Sequence, residues 1–213
     1  MLLCYVTDRH LLPDASLDAL LRRVESASTA GIDWIQIREK DLTARELADF
    51  MRRALAVLSG ERTRVIVNDR IDVALAAGAA GVHLSSASVP PAEAIRWLRA
   101  GNAPRDFLVG VSCHSLDEAI AAEKAGVSYI FFGPIYNTPS KAASGAPQGL
   151  HKLSELCRSI RIPVLAIGGA TQANAAECLR AGASGIAAIR LFQEAPDSAA
   201  VARLVSDLRS PAL

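Results

Sequence analysis

The sequence predicts an α/β fold, a single (β/α)8 barrel spanning residues 1–213, and three observations predict it. Short aliphatic runs alternate with helical patterns eight times, which implies a parallel sheet with helices outside it. Ala30-Gly31, Ala77-Gly78, Ala125-Gly126 and Ala181-Gly182 each close a helix a few residues before a strand, as copies of one βα unit would. The last two aliphatic runs, within Pro163–Thr171 and Gly185–Phe192, end where a phosphate could be held. In an eight-fold barrel the loops after strands seven and eight are the usual phosphate clamp. An open doubly wound sheet is the alternative arrangement.

The elements follow in order. Leu2–Thr7 is the first strand, and Asp14–Ser16 offers a cap for a helix over Leu17–Thr29, with Leu17, Leu20, Leu21 and Val24 on one face. Trp34–Arg38 is the second strand, and Thr43 caps a helix over Ala44–Leu58. Val65–Asn68 is the third strand and Asp72–Ala77 a short helix. Val82–Leu84 is the fourth, after which Pro90-Pro91 opens a helix to Leu98, proline being suited to a first turn. Phe107–Ser112 is the fifth, and Ser115-Leu-Asp-Glu118 reads as a capping box. Tyr129–Gly133 is the sixth, followed by the longest loop, Pro134–Gln148, whose Ala, Ser, Gly and Pro content suits a lid. Val164–Ile167 is cut off by Gly168-Gly169 before a helix capped by Thr171. Gly185–Phe192 supplies the eighth strand, and the last helix runs from Asp197 towards Leu208.

Composition narrows the function classes. Lys and Arg number 23 against 22 Asp and Glu, so a nucleic-acid surface is not expected. Apolar runs fall short of membrane-spanning length, and the N-terminus lacks the pattern of a signal peptide. Cys4, Cys113, Cys157 and Cys178 are far apart, with no CxxC pair, which fits a reducing cytoplasm better than disulfide staples. The expectation is a cytosolic protein acting on small phosphate-bearing molecules, with a homo-oligomer left open.

In a barrel, polar residues at strand C-termini converge on one mouth. Gln36, Arg38 and Lys40 are two apart and would share a strand face; the plain alternative is that Arg38-Glu39-Lys40 is a solvated strand end. Asn68-Asp69 ends the third strand, Ser112 and His114 the fifth, and the long loop adds Thr138, Ser140 and Lys141. Three cations with several donors would suit a diphosphate, with Asp69 beside them for a hard divalent ion. Gly168-Gly169 would let backbone N–H groups approach an anion at the next helix start. His83 reads as a packed strand-end residue, His10 as a loop residue and His151 as helix surface, with no metal-ligand spacing among them. Trp34 and Trp97 read as packing residues.

Seven motifs in order, Tyr5-Val-Thr-Asp8, Ile35-Gln-Ile-Arg-Glu-Lys40, Val67-Asn-Asp69, Gly81-Val-His-Leu84, Gly110-Val-Ser112, Phe132-Gly-Pro-Ile-Tyr-Asn-Thr-Pro-Ser-Lys141 and Ala166-Ile-Gly-Gly169, resemble the thiamine phosphate synthase and TenI (thiazole tautomerase) superfamily. The resemblance covers nearly the whole chain and implies a TIM barrel acting on a thiazole phosphate. For a synthase it implies that Gln36, Arg38, Lys40, Asn68, Ser112 and Lys141 hold a pyrimidine diphosphate and Asp69 binds Mg2+. Thr138, the backbone of Gly168 and Gly169 and that following Ile189 would hold the thiazole and its phosphate.

The sequence departs from the synthase pattern at Ser88, which stands where that family places a second carboxylate ligand for Mg2+. A hydroxyl is a far weaker ligand for that ion. The change points towards the metal-free tautomerase, in which His114 would move a proton. Gln36, Lys40 and Asp69 point back to the synthase, since proton transfer alone does not require them. Arg190 replaces a small residue and would either pair with the thiazole phosphate or lie outside the site. A non-catalytic barrel that binds thiamine precursors is a third reading. A sugar-phosphate isomerase or aldolase is the least supported, since this sequence has no lysine at the end of strand six for a Schiff base and no histidine pair placed for a metal.

Overall fold

The computed structural model describes residues 1–58, 62–101, 103–138 and 146–210. Ser140 and Lys141, both candidates above, lie outside the described residues. The strands are β1 (Leu2–Val6), β2 (Trp34–Ile37), β3 (Arg64–Asn68), β4 (Gly81–Leu84), β5 (Leu108–Cys113), β6 (Tyr129–Phe132), β7 (Val164–Ile167) and β8 (Gly185–Ala188). They hydrogen-bond in chain order and close into a barrel. The helices between them are α1 (Leu17–Thr29), α2 (Ala44–Ala56), α3 (Ile71–Ala77), α4 (Pro91–Ala100), α5 (Leu116–Ala125), α6 (Gly149–Ser159), α7 (Ala175–Arg180), α8 (Arg190–Gln193) and α9 (Ser198–Arg209). This is the (β/α)8 barrel that the alternation of the sequence predicts. Gly31, Gly78, Gly126 and Gly182 of the four Ala-Gly pairs all have φ between 71° and 104°, the left-handed turn that ends a helix.

Two compact units make up the chain, Leu2–Val82 with the segment from Ala188 onward, and His83–Ala187. In the first, β1 and β2 pair in parallel register, Tyr5 beside Ile35, and β2 and β3 likewise, Ile35 beside Val65. Its core includes Leu20, Val24, Ile37, Phe50, Met51 and Phe192, and the Tyr5 and Phe192 rings meet edge to face at 6.0 Å. α1 packs against α9, and the Thr43–Glu46 capping box starts α2. In the second unit the β5–β6 register sets Gly110 beside Tyr129. A Cβ on Gly110 would stand 2.0 Å from the Tyr129 ring, so glycine is what lets that buried ring lie across the neighbouring strand.

Local patterns misplace several boundaries. β2 stops at Ile37, so the shared strand face reaches only Gln36, and Arg38 and Lys40 follow the strand. β6 stops at Phe132, ahead of a cis Gly133–Pro134 bond. β8 stops at Ala188, and Arg190–Gln193 is helical rather than a continuation of the strand. The helix expected from Thr171 begins at Ala175, because Thr171 and Asn174 bond each other: Thr171 N–H donates to Asn174 Oδ1 at 2.7 Å and Asn174 N–H to Thr171 Oγ1 at 3.3 Å. The Ser115 box is half formed, since Ser115 Oγ accepts from Glu118 N–H but the Glu118 carboxylate takes the His114 N–H. Trp97 is 55% exposed on α4 and is not a core residue. Among the described residues no helix is long and apolar enough to cross a membrane.

Candidate active site

In the first unit a relay of side-chain amides joins two neighbouring strand ends. Gln36, 2% exposed, donates from Nε2 to Asn68 Oδ1 at 2.8 Å, and Asn68 Nδ2 donates to Asp69 Oδ2 at 2.7 Å. Asp69 takes φ 60°, a left-handed conformation that Asp tolerates better than most residues. The turn is closed by Arg70 N–H on the Asn68 carbonyl at 2.7 Å. Gln36, Asn68 and Asp69, inferred separately from sequence, are thus one hydrogen-bonded group. Gln36 Oε1 is buried with no partner among the described residues.

Arg38 is half-buried and Lys40 exposed, while Glu39 between them is 5% exposed. The solvated-strand-end reading therefore fails at its central residue. Sequence reasoning missed Glu39 because a charge flanked by charges reads as surface. It also missed Gln193, 1% exposed in α8, which takes the Tyr5 hydroxyl on its Oε1 and whose Nε2 has no partner among the described residues. The partner lies 188 residues away in the chain, and no local pattern signals it.

The second unit holds a different kind of chemistry. His83, expected only to pack, faces two hydroxyls: its Nε2 lies 2.9 Å from Ser112 Oγ and its Nδ1 3.1 Å from Tyr129 Oη. The ring also lies 4.1 Å, centroid to centroid, from Phe131. His114 is half-buried, with Nδ1 2.5 Å from the Gly133 carbonyl. A carbonyl only accepts, so Nδ1 carries the proton and Nε2 is left as the nitrogen for acid–base work.

Gly168 and Gly169 have φ 91° and 71°. The segment after β6 is laced over them, with Ile135 N–H on the Ile167 carbonyl and Tyr136 N–H on the Gly168 carbonyl, each at 3.0 Å. A Cβ on Gly168 would stand 2.6 Å from Pro134, and one on Gly169 2.7 Å from Tyr136 Cβ. The twin glycines are required by that packing as well as by any anion. Thr138, half-buried, ends the described part of the same segment. Ser88 is occupied in a turn, its Oγ accepting from Ser85 N–H at 2.8 Å.

Ile189 precedes α8 with φ −93°, and Arg190 is exposed and pairs with Glu194 at 2.5 Å one helical turn on. Its guanidinium has a surface partner there, through one of its terminal nitrogens. Burial pushes the Cys113 thiol up to about 12 and Cys157 to about 11, and raises Cys4 and Cys178, so thiolate chemistry has no candidate. Among the described residues no group of three or more His, Cys, Asp or Glu could cage a metal. A single carboxylate at Asp69 fits Mg2+ only in the way that ion is often held, with substrate phosphates completing the shell.

Comparison with known proteins agrees with the motifs. A family model described as thiamine monophosphate synthase matches residues 3–192. A chain from Geobacter sulfurreducens is 43% identical over 97% of this chain and 93% of its own. A thiamine-phosphate synthase of Roseiflexus sp. (strain RS-1) is 37% identical over 98% of this chain and 85% of its own. A solved thiamine phosphate pyrophosphorylase from Pyrococcus furiosus superposes with a TM-score of 0.80 at 29% identity, covering 98% of this chain and 97% of that one. With a matched family model over most of its length and relatives similar from end to end, this chain belongs to the thiamine monophosphate synthase family.

Proposed function

We propose that the protein condenses hydroxymethylpyrimidine diphosphate with thiazole phosphate, giving thiamine phosphate and pyrophosphate. The C–O bond to the diphosphate breaks with its electron pair on the leaving oxygen, and the thiazole nitrogen supplies the pair for the new C–N bond. The observation that carries this reading is the Gln36–Asn68–Asp69 relay. It brings a carboxylate beside a buried and a half-buried amide, followed along the neighbouring strand end by Arg38 and Lys40, and proton transfer on a thiazole has no use for such a group. The names of the relatives support the same activity.

In this reading Arg38, Lys40 and Lys141 meet negative charge as it builds on the departing diphosphate. Gln36, Asn68 and Ser112 hold its oxygens. Thr138, Gly168, Gly169 and the backbone after Ile189 hold the thiazole phosphate, and Arg190 remains with Glu194. Asp69 would ligate Mg2+, which supplies charge neutralisation at the leaving group when bound. Ser88 contributes little as a ligand while its hydroxyl holds the turn with Ser85. The work is that of a cytosolic enzyme on small phosphate substrates.

The anchored Nδ1 and open Nε2 of His114 favour a second reading, thiazole tautomerisation. One assay separates the two. Protein, both substrates and Mg2+ are mixed and thiamine phosphate is measured by chromatography. Product that vanishes in Asp69→Ala supports the synthase; no product, with thiazole isomerisation abolished in His114→Ala, sinks it in favour of the tautomerase.

A further inference from the structure

Glu39 is the one buried carboxylate among the described residues of its unit. Its side chain is 1% exposed. Oε1 accepts from Thr7 Oγ1 at 2.6 Å and lies 3.3 Å from Arg9 N–H; Oε2 lies 3.2 Å from the same N–H and 3.0 Å from Arg9 Nη1. The Arg9 guanidinium spans onward to Asp41 through both of its terminal nitrogens. A buried carboxylate is tolerated only when its lone pairs are taken up by donors, and here a hydroxyl, a backbone amide and a guanidinium do so.

Thr7 turns this network into a brace. Its hydroxyl proton points to Glu39, so its lone pair faces the Arg38 N–H, which donates to Oγ1 at 2.9 Å. Thr7 N–H in turn donates to the Gln36 carbonyl at 2.9 Å. The β1–β2 ladder therefore continues past the end of β2 by one side chain, fixing the backbone at Arg38 where the strand has already stopped. Glu39 points inward, and its two flanking residues are the half-buried Arg38 and the exposed Lys40.

We propose that Glu39, acting through Thr7 and Arg9, is a positioning residue that holds the Arg38–Lys40 arm in place for the diphosphate. The inference rests on the synthase reading of the same arm. It assigns no contact with substrate to Glu39 itself. A misplacement of about 1 Å in such a group is enough for a loss on the order of 100-fold.

The test compares Glu39→Gln, Thr7→Val and Thr7→Ser with the wild type in steady-state kinetics and in titration with inorganic pyrophosphate. Thr7→Val keeps shape and removes only the hydroxyl; Thr7→Ser keeps the hydroxyl. The expected result is a KM for the pyrimidine diphosphate and a Kd for pyrophosphate raised about 10-fold or more in Thr7→Val and Glu39→Gln. Thr7→Ser restores both to within about twofold of wild type, while KM for the thiazole phosphate hardly moves in any variant. Equal losses for both substrates, or a lowered Tm with diphosphate parameters unchanged, would make the network a fold element only and overturn the proposal. Should Glu39→Gln not fold, the two Thr7 variants decide alone. A wild type that forms no thiamine phosphate defeats the synthase reading instead, and the pyrophosphate titration still reads the arm.

Discussion

The polar ends of β2 and β3 and those of β5 to β7 carry opposite kinds of chemistry. The first region is built from charge: Asp69 at the end of an amide relay, and the Arg38–Lys40 pair beside the buried Glu39 and its partner Arg9. The second relies on shape and neutral groups: twin glycines under Pro134–Tyr136, and imidazoles set against hydroxyls and a carbonyl. A leaving diphosphate gains charge as it departs, so fixed charges aimed at it stabilise the transition state. A phosphate that stays attached needs only to be seated, and backbone groups in a rigid turn do that without a further side chain. The contrast separates substitutions that slow turnover from those that loosen binding or the fold.

The largest effect is expected at Asp69. Asp69→Ala removes the carboxylate that ends the relay, and kcat/KM for thiamine phosphate formation should fall roughly 100- to 1,000-fold, about 2.7–4 kcal/mol in transition-state stabilisation. The loss should lie mainly in kcat, with only a modest fall in Tm, since alanine adopts φ 60° less readily than Asp and the contact with Asn68 is lost. A variant that keeps its kcat would remove charge from the first region's account.

Gly168→Ala probes the second region and should behave in the opposite sense. The new Cβ meets Pro134 at 2.6 Å on a residue with φ 91°, so both the turn and the segment above it must shift. A loss of about 1–3 kcal/mol in stability is expected, measured by chemical denaturation, with KM for the thiazole phosphate rising more than that for the diphosphate. If the diphosphate KM rises instead, the division of labour between the regions is wrong.

What the sequence disclosed and what it hid follow the same divide. Barrel closure was legible because eight aliphatic runs and four helix-ending glycines are local signals, readable within about ten residues. Gln36, Asn68, Asp69, Ser112 and His114 were legible as polar residues at strand ends. Glu39 and Gln193 were not, because their burial depends on Thr7, Arg9 and Tyr5, brought close only by the strand order. Thr171 was misjudged for a related reason: a good capping residue can satisfy a turn instead, and Asn174 offered the competing partner. The exposed face of Trp97 contradicts the rule that large aromatics are interior, which holds only on average.

His83 ranks next in expected effect. His83→Phe keeps an aromatic ring against Phe131 but takes a nitrogen away from both Ser112 Oγ and Tyr129 Oη. Losing a buried hydrogen-bonded pair costs about 1–3 kcal/mol, and kcat/KM should drop on the order of tenfold if Ser112 touches the diphosphate. Ser112→Ala combined with His83→Phe should then cost little more than either alone, because the two act as one unit. Full additivity in that cycle would separate the histidine from the serine.

The smallest effect is expected at Asp41, where the charged brace reaches solvent. Asp41 is about half exposed, and the Arg9 guanidinium holds its carboxyl well below the usual carboxylate range. A group with a lowered folded-state value contributes stability that is fully present above its unfolded value, about 4, and is lost as pH falls through the folded value. Exposure and salt screening keep the contribution under about 1 kcal/mol. Asp41→Asn should therefore lower Tm slightly at pH 7, and the gap to wild type should narrow on acidification below about pH 4. Raising the salt should shrink the gap at neutral pH as well, whereas the Glu39–Thr7 contact, being buried, should keep its effect on pyrophosphate affinity. A gap that ignores both pH and salt would mean that Asp41 acts through packing, and that Arg9 is held by Glu39 alone.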